Sequence, residues 1–271
     1  MNSRIDFLYL DEQDMIEAGV LDMKACINEM EKVFHLLSSG DYIMGGKNNN
    51  SHGMLINFPD SPTHKGMPKN GPDRRFMAMP AYLGGEYRVA GCKWYGSNIE
   101  NVKKGLPRSI LTMVLNDVDT GAPLSFQSAN LLSAWRTGAI PAVGVKYLAN
   151  EGAEVLALVG AGSIGHSSAE AILTISKQIQ KVKIFDVNRD TAILLKENLS
   201  NHFPTLTIEV VQSIEEAIRG SDIVNLATAG EANPKIEEKW VKQGALFTVS
   251  SSGDFEADFA INRMKLVVDN W

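Results

Sequence analysis

A chain of 271 residues has room for one large domain or two ordinary ones, and 44% hydrophobic content with a mean hydropathy of -0.09 describes a globular protein, for which two domains is the better expectation. The net charge of -6 is scattered without a basic stripe, which argues against nucleic acid or an anionic membrane surface as a partner. The chain opens without an apolar leader and no run approaches the length of a membrane span, so a cytoplasmic location is expected; Cys26 and Cys92, with no C-x-x-C and no disulfide framework, agree with a reducing compartment and read as small buried apolar residues.

In chain order, Phe7-Leu8-Tyr9-Leu10 is strand-like, and Met23, Ile27, Met30, Phe34 and Leu37 then recur at three- and four-residue spacing, which predicts a packing helix. Gly40 and Gly45-Gly46 end it, and a polar, turn-rich stretch precedes the apolar Met54-Leu55-Ile56. Residues 57–75, with Pro59, Pro62, Pro68 and Pro72, read as a loop, and a loop of that length is functional or mobile. Phe76 to Pro123 reads as sheet with turns at Gly84-Gly85 and Asp119-Thr120-Gly121. Ser125 to Asn150 reads as helix, and the small residues around Arg136-Thr137-Gly138-Ala139 permit close approach of another backbone or of a ligand. Beyond a boundary at Glu151-Gly152, strand candidates at 155–159, 182–185, 206–211, 223–227, 245–249 and 266–268 alternate with helical stretches, one carrying the capping box Ser213-x-x-Glu216. That alternation predicts an α/β fold, a parallel sheet with helices on both faces.

The chemistry starts at Val155 to Gly165. A short apolar run leads into Gly160-x-Gly162-x-x-Gly165, and an acidic residue, Asp186, ends the following strand about 20 residues on. Such a strand, turn and helix start hold a pyrophosphate on free backbone N–H groups, while a carboxylate at the end of the second strand holds the adenosine ribose hydroxyls and repels a 2'-phosphate. NAD is therefore the expected cofactor, with Arg189 nearby as a softening influence. Asp186 taken alone reads equally as a solvated strand-end carboxylate. The reactive end of the cofactor belongs over the carboxyl ends of the strands, where Thr228 and the loop Ser250 to Asp254 stand; on local sequence Asp254 reads as a turn residue after Gly253.

These pieces occur in one order with others: Met79-Pro80-Ala81, Lys93 followed by Asn98, Gly105-Leu106-Pro107, Asp117-x-Asp119-Thr120-Gly121-x-Pro123-Leu124, Arg136-Thr137-Gly138-Ala139, Gly160-Ala161-Gly162-Ser163-Ile164-Gly165 and Gly253-Asp254. The ordered set resembles the ornithine cyclodeaminase and mu-crystallin family over nearly the whole chain. The resemblance implies an α+β substrate-binding and dimerisation domain at 1–150, a Rossmann doubly wound NAD-binding domain at 151–271, an active site between them, and a homodimer. It implies that Lys93 and Arg136 hold the carboxylate of a 2-amino acid, with Lys47 in the family's early basic position. Arg136, Thr137, Gly160, Gly162, Ser163, Ile164, Gly165, Asp186, Thr228 and Ser250 would meet the cofactor, and Asp254 would be the proton-transfer group, with Lys93 beside it in the chemistry. No metal is expected.

The implied activity is NAD-dependent hydride transfer at the α-carbon of a 2-amino acid or its imine. Two other readings stand beside it: an ornithine-cyclodeaminase-type ammonia lyase using NAD catalytically, and a mu-crystallin-type protein that binds a dinucleotide and a small ligand without turnover. Three features depart from the family pattern. Lys47 replaces an arginine, a point charge in place of a bidentate fork. Met77 stands where cyclodeaminases carry a glutamate. Residues 57–75, with Arg74 and Arg75, have no counterpart and read as a lid carrying a substrate cation or as a solvated loop, the second being the plainer expectation. Family members also continue past a final Rossmann strand through helices returning to the first domain, so the stop at Val268-Asp269-Asn270-Trp271 reads either as a truncated product or as an incomplete stretch of a longer chain.

Overall fold

The structure, a computed structural model, describes residues 4–228 and 233–269. It divides into two compact units. One comprises the residues up to Leu21 with Lys32–Ser133; the other comprises Asp22–Glu31 with everything from Ala134 onward. The expected boundary near residue 150 therefore lies earlier, inside a long helix, and Asp22 with the first nine residues of an earlier helix belongs with the C-terminal unit.

The first unit is built on a seven-stranded sheet. Its elements are β1 (Leu8–Leu10), α1 (Glu12–Glu17), the C-terminal part of α2 (Met23–Ser39), β2 (Tyr42–Met44), β3 (Met54–Asn57), β4 (Arg75–Leu83), β5 (Val89–Ser97), a 3-10 turn (Ile99–Lys104), β6 (Ser109–Asp117) and β7 (Pro123–Ser128). Strand order is β1-β7-β6-β5-β4-β2, with β3 also on β4; β1 runs parallel to β7 and the other pairs are antiparallel. Arg75 thus opens a strand and is not part of the loop, while 125–128 is strand and not the start of a helix. Neither α1 nor β2 was expected; Asp11 and Asp14 form a full capping box on α1.

Register sorts the side chains of this sheet, because successive residues point to opposite faces. Met79, Lys93, Met113 and Gln127 stand opposite one another across four strands; Met77, Tyr95 and Leu111 form the next row, and Arg75, Ser97 and Ser109 the one after. These rows share one face. The other face carries Ile56, Phe76, Trp94, Ile110 and Phe126, all exposed. Gly96 makes room there: a Cβ on it would lie 2.7 Å from the Phe76 ring, which instead stacks on Trp94 at 5.7 Å.

The second unit holds most of α3 (Asn130–Leu148), then β8 (Val155–Val159), α4 (Ser163–Ile175), β9 (Lys181–Phe185), α5 (Arg189–His202), β10 (Thr207–Val210), α6 (Ile214–Ile218), β11 (Ile223–Leu226), β12 (Lys235–Ile236), a 3-10 turn (Glu238–Trp240), β13 (Leu246–Val249), β14 (Asp254–Phe255) and α7 (Ala257–Asn262). Its main sheet is all parallel in the order β10-β9-β8-β11-β13, the doubly wound arrangement that places ligands at the carboxyl ends of the strands where the order reverses. Leu156, Ala157, Leu158 and Val159 are all at most 1% exposed, so both faces of β8 are covered. Ala157, Val159, Val224 and Leu226 pack with Ala217 and Ile218 of α6. Residues 266–268, expected as a further strand, are irregular and exposed, without a sheet partner; Asn270 and Trp271 lie outside the described residues. The predicted capping box is half formed: Glu216 N–H donates to Ser213 Oγ at 3.1 Å, while the Glu216 carboxylate reaches Gln212 N–H.

Candidate active site

The glycines at the end of β8 are required by contact. Gly160 has φ 100°, and a Cβ there would lie 2.5 Å from the Ala227 carbonyl oxygen; a Cβ on Gly165 would lie 2.0 Å from the Gly160 oxygen. Side chains at either position would push the turn off β11 or the helix off the turn. Gly162 is different: its Cβ position is open, and it caps α4 with no side-chain hydrogen bond and no acidic residue in the first turn. The first N–H groups of α4, on Ser163, Ile164 and Gly165, are left for a ligand, and the helix end favours an anion. Asp186 is tied into this loop. Its Oδ2 accepts the Ala161 N–H at 2.7 Å and its Oδ1 the Asn188 N–H at 2.8 Å. The carboxylate fixes the glycine turn to the end of β9 as well as standing where ribose hydroxyls are expected.

Gly138 brings the part of α3 that follows Arg136 and Thr137 against α4. A Cβ on Gly138 would lie 2.4 Å from Ser167 of α4, so α3 and α4 touch backbone to backbone at that point. Arg136 lies half a turn earlier on α3, half-buried. Burial lowers its guanidinium from the ordinary value, with Asp269 and Cys26 acting in the opposite direction. A desolvated cation of this kind gains from an incoming carboxylate or phosphate.

The other expected residues of this unit sit on the strand ends. Thr228 donates its N–H to Ser251 Oγ at 3.1 Å, tying the end of β11 to the loop after β13, and Ser250 N–H bonds the Leu226 carbonyl at 2.9 Å. Asp254 opens β14, its N–H held by the Pro234 carbonyl at 2.9 Å, and is exposed. Ser251 belongs to this set; adjacency to Ser250 was the available signal, but only the bond to Thr228 distinguishes it. A groove of about 790 Å³ among Lys24, Lys146 and Lys177 lies at the other end of the strands and holds none of these residues.

In the first unit, Lys93 is half-buried on the Met79 row, with its Nζ 5.5 Å from the Tyr95 ring centroid. Lys47 lies in the turn after β2, exposed and without an ion pair among the described residues. Arg75 is on that face, two rows from Lys93. Residues 58–74 form the loop, closed by Asn70 N–H on the Pro59 carbonyl at 2.9 Å and Arg74 Nη1 on the Lys69 carbonyl at 3.0 Å. Asn98 and Asp117 serve turns: Asn98 caps the 3-10 turn, and Asp117 accepts the Thr120 N–H at 2.8 Å.

Residues 20–266 match the model of the ornithine cyclodeaminase/mu-crystallin family. The chain is 26% identical over 268 residues to N-((2S)-2-amino-2-carboxyethyl)-L-glutamate dehydrogenase of Staphylococcus aureus, covering 98% of this chain and 75% of that protein. It is 33% identical over 262 residues to alanine dehydrogenase of Archaeoglobus fulgidus, covering 95% and 72%. Among solved structures, Thermococcus litoralis Δ1-pyrroline-2-carboxylate reductase in complex with NADH and L-proline matches with a TM-score of 0.75 and 26% identity, over 90% of this chain and 68% of that one.

Proposed function

The chain belongs to the ornithine cyclodeaminase/mu-crystallin family, and on that premise we propose that it is an NAD-dependent oxidoreductase acting at the α-carbon of a 2-amino acid or of the corresponding imine. The observation that carries this reading is the uncapped start of α4 beside Gly160, Gly162 and Gly165, with Asp186 bonded into the same turn. It fits a dinucleotide by chemistry: free N–H donors for the pyrophosphate, no space for side chains where the turn is tightest, and a carboxylate where an NADP phosphate would be repelled. The dehydrogenase and reductase names of the relatives agree with it.

A nicotinamide held there would supply the acceptor for the hydride of the α C–H bond, and in its reduced form the hydride donor to an imine. Lys93 and Arg136 are proposed to hold the α-carboxylate, two cations fixing its orientation better than one. Asp254 is proposed to take a proton from the amine and pass it to solvent, to take the next from the water that adds to the imine carbon, and to return that proton to the nitrogen as ammonia or an amine leaves and the carbinol hydroxyl loses its own proton to solvent, giving the 2-oxo acid; the reverse sequence reduces an imine. Thr137, Thr228 and Ser250 are assigned to the cofactor, and Lys47 to the approach of the substrate.

Met77, 8% exposed on the row beside Lys93, offers no carboxylate to a distal ammonium, which weighs against ornithine as substrate. We also propose a homodimer and a cytoplasmic location; among the described residues no helix is long and apolar enough to cross a membrane. Purified protein given NAD with a panel of amino acids, or NADH with 2-oxo acids and amines, should change nicotinamide absorbance. Ammonia release without net NADH would point to cyclodeamination, and tight NADH binding with no turnover to a binding protein.

A further inference from the structure

The sheet face that carries Lys93 holds a second charged group. Asp73, at φ 54° just before β4, sets its carboxylate between two guanidiniums: Oδ1 lies 2.6 Å from Arg75 Nη1, and Oδ2 lies 2.8 Å from Arg108 Nη1 while accepting the Ser97 hydroxyl. Ser97 in turn accepts the Ser109 hydroxyl at 3.0 Å, which anchors the group on β5 and β6. The Asp73 side chain is 12% exposed, and among the described residues it is the sole carboxylate paired with either arginine. One carboxylate against two guanidiniums leaves a surplus positive charge.

Arg75 has a second peculiarity: its Nε is buried and meets no hydrogen-bond acceptor among the described residues. A charged donor buried without an acceptor is costly, and a carboxylate matches a guanidinium edge. Burial works to lower the pKa of this guanidinium, but Tyr95 and Asp73 beside it prevail and raise it, and the Lys93 ammonium stands 5.5 Å from the Tyr95 ring centroid. Arg75 and Lys93 lie one row to either side of Tyr95, a backbone separation of roughly 13 Å that two long side chains can narrow. Two carboxylates joined through a few bonds span the narrowed distance when each faces its own cation.

Resting on the amino-acid oxidoreductase reading above, we propose that Arg75, held in place by Asp73 and Tyr95, binds a second carboxylate, so that the site selects 2-amino acids or imines bearing two carboxylates over those bearing one. The second carboxylate can stand on the side chain, as in glutamate, or on the nitrogen substituent of a secondary amine; the chemistry recognised is the same.

The test measures equilibrium binding to the NADH-loaded protein by calorimetry, beside turnover with NAD. L-Glutamate is compared with L-glutamine for the side-chain arm, and N-(1-carboxyethyl)-L-alanine with its mono-amide for the nitrogen arm. In at least one arm the diacid should bind about tenfold or more tightly than its amide. Arg75→Met should collapse that preference to within about threefold, Arg75→Lys should keep part of it, and Tyr95→Phe, which retains the ring, should reduce it. Equal binding of diacid and amide in both arms of the wild type overturns the inference while leaving the oxidoreductase reading intact if L-alanine binds or turns over. Loss of diacid and amide binding by the same factor in Arg75→Met, with Arg75→Lys equally affected, overturns it too, since a structural role alone predicts that pattern. Failure of the wild type to bind NADH, or any of these amino acids, overturns the oxidoreductase reading and the inference with it.

Discussion

Asp254 and Asp186 are both carboxylates at strand ends, but their surroundings give them different work. Both Asp186 oxygens already accept backbone N–H groups, so its charge is committed to the glycine turn and to what binds there. Asp186→Ala should weaken NAD binding about tenfold or more and narrow the discrimination against NADP, as read by titrating both reduced cofactors; unchanged affinities would remove Asp186 from the site. Asp254 is exposed, with only its backbone bonded among the described residues, which suits the proton transfer proposed for it. Asp254→Asn should lower kcat by about 10²- to 10⁴-fold with NADH affinity unchanged. Equal turnover in mutant and wild type would take Asp254 out of the chemistry.

The strands and helices of the second unit are held at the end opposite the glycine turn by one carboxylate. Asp222 Oδ2 accepts the Glu154 and Val155 N–H groups at 2.9 and 3.0 Å, joining the start of β8 to that of β11, and Oδ1 meets Lys242. Burial works to raise its pKa, but the Lys242 bond and the two backbone N–H groups prevail and hold it below the usual carboxylate range. A depressed folded-state pKa means stability fully present above the unfolded carboxylate value and lost as pH falls through the folded one. Asp222→Asn should therefore cost on the order of 1–3 kcal/mol near neutral pH, and the difference in Tm from wild type should shrink once pH drops below about 4. A gap that stays constant into acid would assign the loss to packing.

The alternating strands and helices were legible because β8, β9, β11 and β13 are short apolar runs between periodic stretches, and the glycine turn because its contacts are local. Residues 266–268 have the same apolar composition, yet composition says nothing of a neighbouring strand. The placement of Asp22–Glu31 in the second unit was also hidden, since the periodicity of α2 marks an apolar face without saying what it meets. Arg75 shows the same limit at the site: its relation to Lys93 exists only through the pairing Arg75 with Ser97 and Met79 with Lys93, which no local pattern encodes. Lys93, Arg136 and Asp254 were found through the family resemblance; local sequence made them a strand lysine, a helix cation and a turn residue.

At the scale of the whole molecule, the Trp94 face of the first unit's sheet asks for a partner. Phe76, Trp94, Ile110 and Phe126 lie on one face and are 37%, 42%, 47% and 39% exposed, with Tyr9 stacked on Phe126 and Trp94 on Phe76. A contiguous aromatic surface of this kind marks an interaction site in a protein that stays dispersed in water. A second copy of the chain is the occupant that the family resemblance implies, and a two-fold axis lets the same face serve both sides. Because these rings are partly exposed within the chain, replacing one need not leave a cavity in a core. Trp94→Glu should thus keep the thermal transition close to wild type while weakening dimerisation by about 30-fold or more, near 2 kcal/mol for a central aromatic anchor. Sedimentation across a concentration series reads both: wild type should run as a dimer at micromolar concentration and the mutant should shift toward monomer. A monomeric wild type, or a mutant that dimerises as tightly, would mean that something other than a second copy covers this face.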